Sequence, residues 1–383
     1  MAGENMFDLA LKGGRVVDPA QSLDGVMDVA FTDGLVAAVG PDLGPAQTVR
    51  DVTGLVVTPG LIDLHAHVYW GGTSLGVDPD EYARGSACTT LIDAGSAGPG
   101  NMHGFRRHVI ERSDVRIVPF LNISFAGIFA FSNEVMVGEG MDLRLLNPRV
   151  CLAVAKRDSD LVAGIKVRIG GGTSGINGIE PLRMALEVAE HAGLPVMAHL
   201  DNPPPYRPEV MRALRSGDIL THCFRSFPNA PATADGRVHQ DVLEARARGV
   251  IFDIGHGKGS FGFDTAMAML KNGFLPDVIS SDVHTLSIDG PAYDLLITMS
   301  KFLAMGVSLP DVVRMATINP ARAARLTDRG TFRVGALGDA SVLNIARGEF
   351  EYVDSQGEMM TGPERLDCAA IILDGRVWHE QGN

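Results

Sequence analysis

Residues 61–69 read LIDLHAHVY, an apolar run in which Asp63, His65 and His67 alternate with Ile62, Leu64, Ala66 and Val68. A strand has a side-chain period of two, so the three ionisable groups are expected to face one way. Further along, four residues of similar chemistry stand late in apolar runs: Lys166 in AGIKVRI, His199 in PVMAHL, His222 in DILTHCF and Asp282 in DVISSDVHT. Each alone reads as a satisfied core side chain or a loop residue. Together they leave several buried polar groups to satisfy, and burying such groups without partners is costly. A metal centre would satisfy them at once, and imidazole with carboxylate suits zinc and similar divalent ions. A protonated Lys166 would repel metals. It fits only as the neutral amine or as the carbamate formed with CO2, whose two oxygens can bridge two cations. The other reading is a snorkelling surface lysine, against which its apolar neighbours argue.

The elements that must carry these residues recur regularly. Eight strand-like runs, from VVTPGLIDLHAH through CTTLIDAGS, RIVPFLNIS, AGIKVRI, PVMAHL, DILTHCF and VIFDIGHG to DVISSDVHT, alternate with helical segments or long loops. Helical patterns such as IEPLRMALEVAEHAG end at glycine, as a C-cap should. Eight βα units in succession predict a (β/α)8 TIM-type barrel over 56–334, with its chemistry at the C-terminal ends of the strands. An open doubly wound sheet is the alternative, but no glycine fingerprint opens the first helix. Both chain ends read as short alternating strands between turns. They predict one small β-sandwich domain built from 1–55 and 335–383.

The formal net charge of -13 and the absence of a basic patch argue against nucleic acid and anionic membrane as partners. Cys88, Cys151, Cys223 and Cys368 are scattered without a CxxC pair and read as free thiols in a reducing compartment. The opening MAGENMFDLALKGG lacks a basic region before an apolar one, so no secretory signal is read there. The apolar window from Phe120 to Phe131 is too short to span a bilayer. A cytoplasmic protein is expected, acting on a small molecule.

The PGLIDLHAH opening, the ordered set His65, His67, Lys166, His199, His222 and Asp282, and the closing MATINPARAARL and GTFRVGALGDASVLNI resemble the amidohydrolase superfamily of metal-dependent hydrolases. The resemblance covers nearly the whole chain and points to the binuclear class with a carboxylated lysine. It implies two divalent ions, zinc by expectation. His65, His67 and Asp282 would hold the first, His199 and His222 the second, and carboxylated Lys166 would bridge them together with a hydroxide. That hydroxide would attack the substrate carbonyl while Asp282 takes a proton and passes it to the leaving group. Within the superfamily the chain looks most like a group labelled dihydroorotase or adenine deaminase but linked to deacetylation. That likeness implies hydrolysis of acetyl esters of (R)-2-hydroxy acids such as acetyl-(R)-mandelate, with N-acetyl-D-amino acids as weaker substrates. Homo-oligomers are common in the superfamily.

Substrate contacts are expected from four further positions. Arg168 lies two residues past Lys166, on the same strand face, and would grip a carboxylate in a fork, or else pair with a structural carboxylate. The glycine-rich GGGTSG, ending at Gly175, would let backbone N–H groups approach an anion, or is simply a flexible loop. His256 would touch substrate, support a ligand, or sit idle in a loop. Tyr69 would donate to substrate or form a pocket wall. Dihydroorotases carry an arginine where Tyr69 stands, which counts against that activity; a cyclic amide hydrolase, dihydroorotase- or hydantoinase-like, is the alternative reading. A non-catalytic scaffold is disfavoured by the complete ligand set. Asp63 would orient an imidazole or make a turn. His103, His108, His191, His239 and His379 are expected to be solvated, Cys223 to pack inward, and Met267 and Met269 to lie on a helix face.

Overall fold

The computed structural model describes residues 6–226 and 228–381. The outermost ends assigned to the small domain, 1–5 and 382–383, therefore lie outside the described residues, as does the start of the stretch read as carrying no signal. Five strands open the chain: β1 (Phe7–Asp18), β2 (Leu23–Thr32), β3 (Leu35–Gly40), β4 (Ala46–Asp51) and β5 (Val56–Pro59). Then come β6 (Leu61–Ala66), β7 (Cys88–Ala94) and β8 (Arg116–Asn122), and a small hairpin of β9 (Ala130–Phe131) with β10 (Met136–Val137). They are followed by β11 (Gly164–Ile169), β12 (Val196–Leu200), β13 (Ile219–Thr221) and β14 (Ile251–Phe252), and the chain closes with β15 (Ala340–Val353), β16 (Met359–Leu373) and β17 (Arg376–Glu380).

The strands β6, β7, β8, β11, β12, β13 and β14 form one parallel sheet in chain order. β6, β7 and β11 are buried along their whole length, as parallel strands covered by helices must be. Most of the covering helices have one apolar face. In Glu180–Ala192 the buried residues Leu182, Ala185, Val188 and Ala189 share one face, and Gly193 at φ 69° ends the helix. A cluster of Ile62, Leu64, Ile92, Phe120, Met197 and Ile219 forms an apolar floor between the strands.

The eighth run is not a regular strand. It touches both edges of the sheet through parallel bridges, Val278 to Asp253 and Val283 to Ala66. Ile254 N donates to Val278 O at 3.1 Å on one side, and His67 N donates to Val283 O at 2.9 Å on the other. Between them Asp282 adopts φ 49°, which interrupts a β ladder.

Strands from both chain ends share a single mixed sheet in the order β17-β16-β15-β5-β1-β2-β3, with β4 beside β1. A sandwich of two sheets was expected; the strands are hydrogen-bonded as one. β5 also departs from its expected place at the start of the barrel. It pairs with β1 and β15, because Pro59 and Gly60 separate it from β6. Gly60 has no room for a side chain: a Cβ there would meet Thr89 Oγ1 at 2.2 Å. No helix among the described residues is long and apolar enough to cross a membrane.

Candidate metal centre

The parallel sheet carries its polar groups at one end. His65 sits near the end of β6, with His67 just past it. Lys166 lies on β11, His199 on β12, His222 just past β13, and Asp282 in the eighth run. Asp282 Oδ1 stands 3.3 Å from His65 Nε2 and 3.2 Å from His67 Nε2. Ligand atoms of His65, His67 and Asp282 lie within 4.8 Å of one another. Lys166 Nζ is 3.2 Å from His65 Nε2. The rings of His65 and His222 are 5.0 Å apart, and those of His199 and His222 are 4.5 Å apart. All except Lys166 line one cavity of about 200 Å³, with Phe131, Arg168, Arg225, Lys258 and His284 among its other walls.

Three of the imidazoles are steered from behind. His65 Nδ1 contacts Thr221 Oγ1 at 2.7 Å, and Thr221 donates in turn to Asp253 Oδ2 at 2.7 Å. With the hydroxyl proton so used, His65 Nδ1–H is the donor, and Nε2 keeps its lone pair towards the cavity, where Lys166 Nζ approaches it. His67 Nδ1 meets Ser96 Oγ at 2.9 Å, and His222 Nδ1 donates to Gly255 O at 2.6 Å. Such partners fix ring orientation and tautomer at metal sites. The loop after β14 supplies the last of them and must pass very close. A Cβ on Gly255 would lie 2.8 Å from His222 Nδ1, and one on Gly257 would lie 2.2 Å from Asp282 Oδ2.

Burial sets the charge states. It drives His65 and His222 well below the ordinary imidazole range, and lowers His67 to about 3 and His199 to about 4. All four rings are thus neutral bases, the form that binds metal. Burial lowers Lys166 to about 8, so its amine is within reach of the neutral state. It raises Asp282 to about 6. Among the proposed ligand residues one polar atom is stranded: His199 Nε2 is buried without a hydrogen-bond partner. An orphaned lone pair beside three oriented ones is what a divalent ion would satisfy.

The expected substrate contacts fare differently. Arg168 lines the cavity, but its fork is taken: Nε donates to Glu139 Oε1 at 2.8 Å and Nη2 to Oε2 at 2.6 Å. Burial pushes the Glu139 carboxyl up, yet the Arg168 charge and fork outweigh it and hold it below the usual range. Tyr69 does not reach the cavity. Past Ala66 the chain leaves the strand and turns, so strand parity no longer applies; the ring stacks on Phe105 at 4.6 Å and the hydroxyl donates to Asn101 O at 3.3 Å. Gly175 and its neighbours spend their N–H groups internally. Thr173, Ser174 and Gly175 all donate to Gly170 O, and Gly172 donates to Asp201, so no anion nest forms. His256 is sealed away, stacked on Phe261 at 4.7 Å, with Nε2 2.7 Å from Lys301 Nζ. Asp63 touches no imidazole. A register shift follows it in β6, and it instead accepts from Ser281 N at 3.0 Å and Tyr82 Oη at 2.7 Å.

Two cavity residues escaped the sequence reading. His284 is two residues past Asp282, the same spacing as His65 to His67, and that parity was the available signal. Its Nδ1 accepts from Leu286 N at 3.1 Å, leaving Nε2 as a donor on the cavity wall. Arg225 follows His222 by three residues in a turn, where no periodicity marks it. Of the histidines expected to be solvated, His103, His108 and His191 are exposed, while His239 and His379 are half-buried. The four cysteines are buried and unpaired.

The model of the amidohydrolase family matches residues 56–375. A deacetylase of Agrobacterium fabrum is 36% identical over 329 residues, 85% of this chain and 80% of its own. A crystal structure described as an adenine deaminase superposes with a TM-score of 0.90 at 30% identity, covering 98% of this chain and 100% of its own. One described as a dihydroorotase superposes with a TM-score of 0.88 at 32% identity, covering 96% and 98%.

Proposed function

The chain belongs to the amidohydrolase family and is a hydrolase, and from that premise we propose that it removes an acetyl group from small substrates bearing a carboxylate. The favoured substrates are acetyl esters of (R)-2-hydroxy acids, with N-acetyl-D-amino acids as weaker ones. The observation that carries this reading is the ring of four neutral imidazoles, Lys166 and Asp282 around a cavity of about 200 Å³, which suits a small acyl compound. The likeness to a deacetylase over most of the chain supports the acetyl group.

In this reading His65, His67 and Asp282 would hold one divalent ion and His199 and His222 a second, zinc by preference, with Lys166 as its carbamate serving as a further ligand. Such ions, when bound, lower the pKa of water towards about 7 and polarise a carbonyl. The chain's own groups do the rest. Asp282, buried beside His65 and His67, takes a proton from the attacking water and returns it to the leaving oxygen or nitrogen. His284 Nε2–H donates to the substrate from the cavity wall. Phe131 and Ile128 limit the acyl pocket. The eighth run serves as the eighth stave of a (β/α)8 barrel that begins at β6, with β5 joining the strands of the two chain ends in the small domain.

A cyclic amide hydrolase is the second reading, favoured by the likeness to a structure described as a dihydroorotase. Against it, Tyr69 turns away from the cavity towards Asn101. Acid release by the zinc-loaded protein decides between them. The substrates are acetyl esters of (R)- and (S)-2-hydroxy acids, N-acetyl-D- and L-amino acids, dihydroorotate and hydantoins. Stereoselective ester turnover is expected; turnover of the ring compounds alone would replace this reading with the second.

A further inference from the structure

A substrate carboxylate entering this cavity needs a cation, and three cationic side chains line the wall outside the ligand set: Arg168, Arg225 and Lys258. Arg168 is committed to Glu139 through two hydrogen bonds, so its charge and its fork are both spent. Lys258 is exposed and only weakly held, 3.4 Å from Asn133 Oδ1.

Arg225 stands differently. Its backbone N–H donates to His222 O at 3.2 Å, so the turn after β13 delivers His222 and Arg225 to the same cavity. The side chain is half-buried, and Nη1 donates to Leu200 O. Among the described residues its guanidinium makes no other hydrogen bond and no ion pair. Asp201 contributes to its surroundings, but that carboxylate is directed elsewhere: it lies 3.8 Å from His199 Nε2 and accepts from Gly172 N at 3.3 Å. Arginine is seldom buried without a counter-ion. A guanidinium pinned at one nitrogen keeps a second edge with two parallel N–H groups, which matches a carboxylate.

We infer that Arg225, and not Arg168, is the residue that grips the substrate's carboxylate. The inference rests on the reading of the substrate as a small acyl compound with a carboxylate. It makes Arg225 the determinant that separates charged acyl substrates from neutral ones of equal size. It also assigns the Arg168–Glu139 pair a structural part: that pair is neutral overall and builds the wall, while Arg225 is the less exposed of the two cations left without a carboxylate partner.

The test is calorimetric binding to the metal-loaded full-length protein, with (R)-mandelate as the probe and (R)-mandelamide as its neutral twin. The wild type should prefer the acid. Arg225→Gln should weaken the acid by about ten- to hundredfold and leave the amide unchanged. Arg225→Lys, which keeps the charge and loses the fork, should fall between them. Equal binding of the acid by wild type and Arg225→Gln overturns the assignment, and so does a wild type that does not prefer the acid. If Arg225→Gln fails to fold, the wild-type preference and Arg225→Lys decide on the same terms. Ester turnover is scored separately. Acid binding that depends on Arg225 without any ester turnover would refute the deacetylation reading alone; ester turnover indifferent to Arg225 would refute the grip alone.

Discussion

Asp282 touches two imidazoles and carries the proposed proton transfer, so its replacement separates chemistry from folding. Asp282→Asn keeps the shape of the side chain and removes the base. Turnover should fall by about 100-fold or more, with circular dichroism unchanged; substantial residual activity would remove Asp282 from the acid–base role. His284→Gln should lower kcat more than it raises KM, because its donor faces the cavity without belonging to the ligand set. Both residues teach the same lesson about legibility. A period of two made His65 and His67 visible, and the matching spacing of two residues was the signal for His284 after Asp282. Parity failed where the backbone left the strand, at Tyr69, and where the register shifted, at Asp63. No pattern pointed to Glu139, which lies in a loop 29 residues from Arg168. A partner supplied by an irregular loop leaves no local periodicity to read.

At the scale of elements, the loop after β14 holds the centre from behind. A Cβ on Gly257 would overlap Asp282, so Gly257→Ala should displace that carboxylate and lower kcat by roughly 100-fold while the ligands remain present. Metal content and kcat, measured together, check it. The helix Leu295–Ala304 is fastened to its surroundings by a buried lysine. Lys301 Nζ donates to Pro291 O at 2.7 Å, to Val353 O at 2.8 Å and to His256 Nε2 at 2.7 Å. Burial nevertheless lowers its pKa from 10.5 to about 7. Between those values the unfolded chain binds a proton that the folded chain does not, so stability should rise as pH increases from about 7 to about 10.5. Lys301→Met should flatten that rise and cost about 2–4 kcal/mol through its stranded acceptors, as urea unfolding at several pH values would show. The eight runs were legible because buried parallel strands are continuous apolar stretches. That the last is no regular strand was not, since a single left-handed residue such as Asp282 leaves the apolar pattern around it unchanged.

Over the whole molecule, the mixed sheet ties the chain ends to the parallel sheet. Ser341 Oγ donates to Ala87 O at 2.6 Å and accepts from Leu61 N at 3.0 Å, and Arg116 bonds Asp339 at 2.5 Å. The alternating strands at both ends announced such a sheet; their pairing order did not, because nothing local encodes which of them are neighbours. Metal should stabilise this assembly by mass action. Chelation should abolish turnover and lower Tm, and titrating zinc back should raise Tm progressively, by about 2.7 kcal/mol of stability at one hundred times Kd. A Tm indifferent to metal would contradict the proposed ligand set. The bridges made by the eighth run carry one more consequence, for how the chain folds. Asp63 accepts from Ser281 across 218 residues of sequence, and contacts so distant bear a heavy loop-closure cost and form slowly. Asp282 sits inside that late segment. During refolding, helical signal should return first and hydrolysis last, so recovered activity times the final closing event.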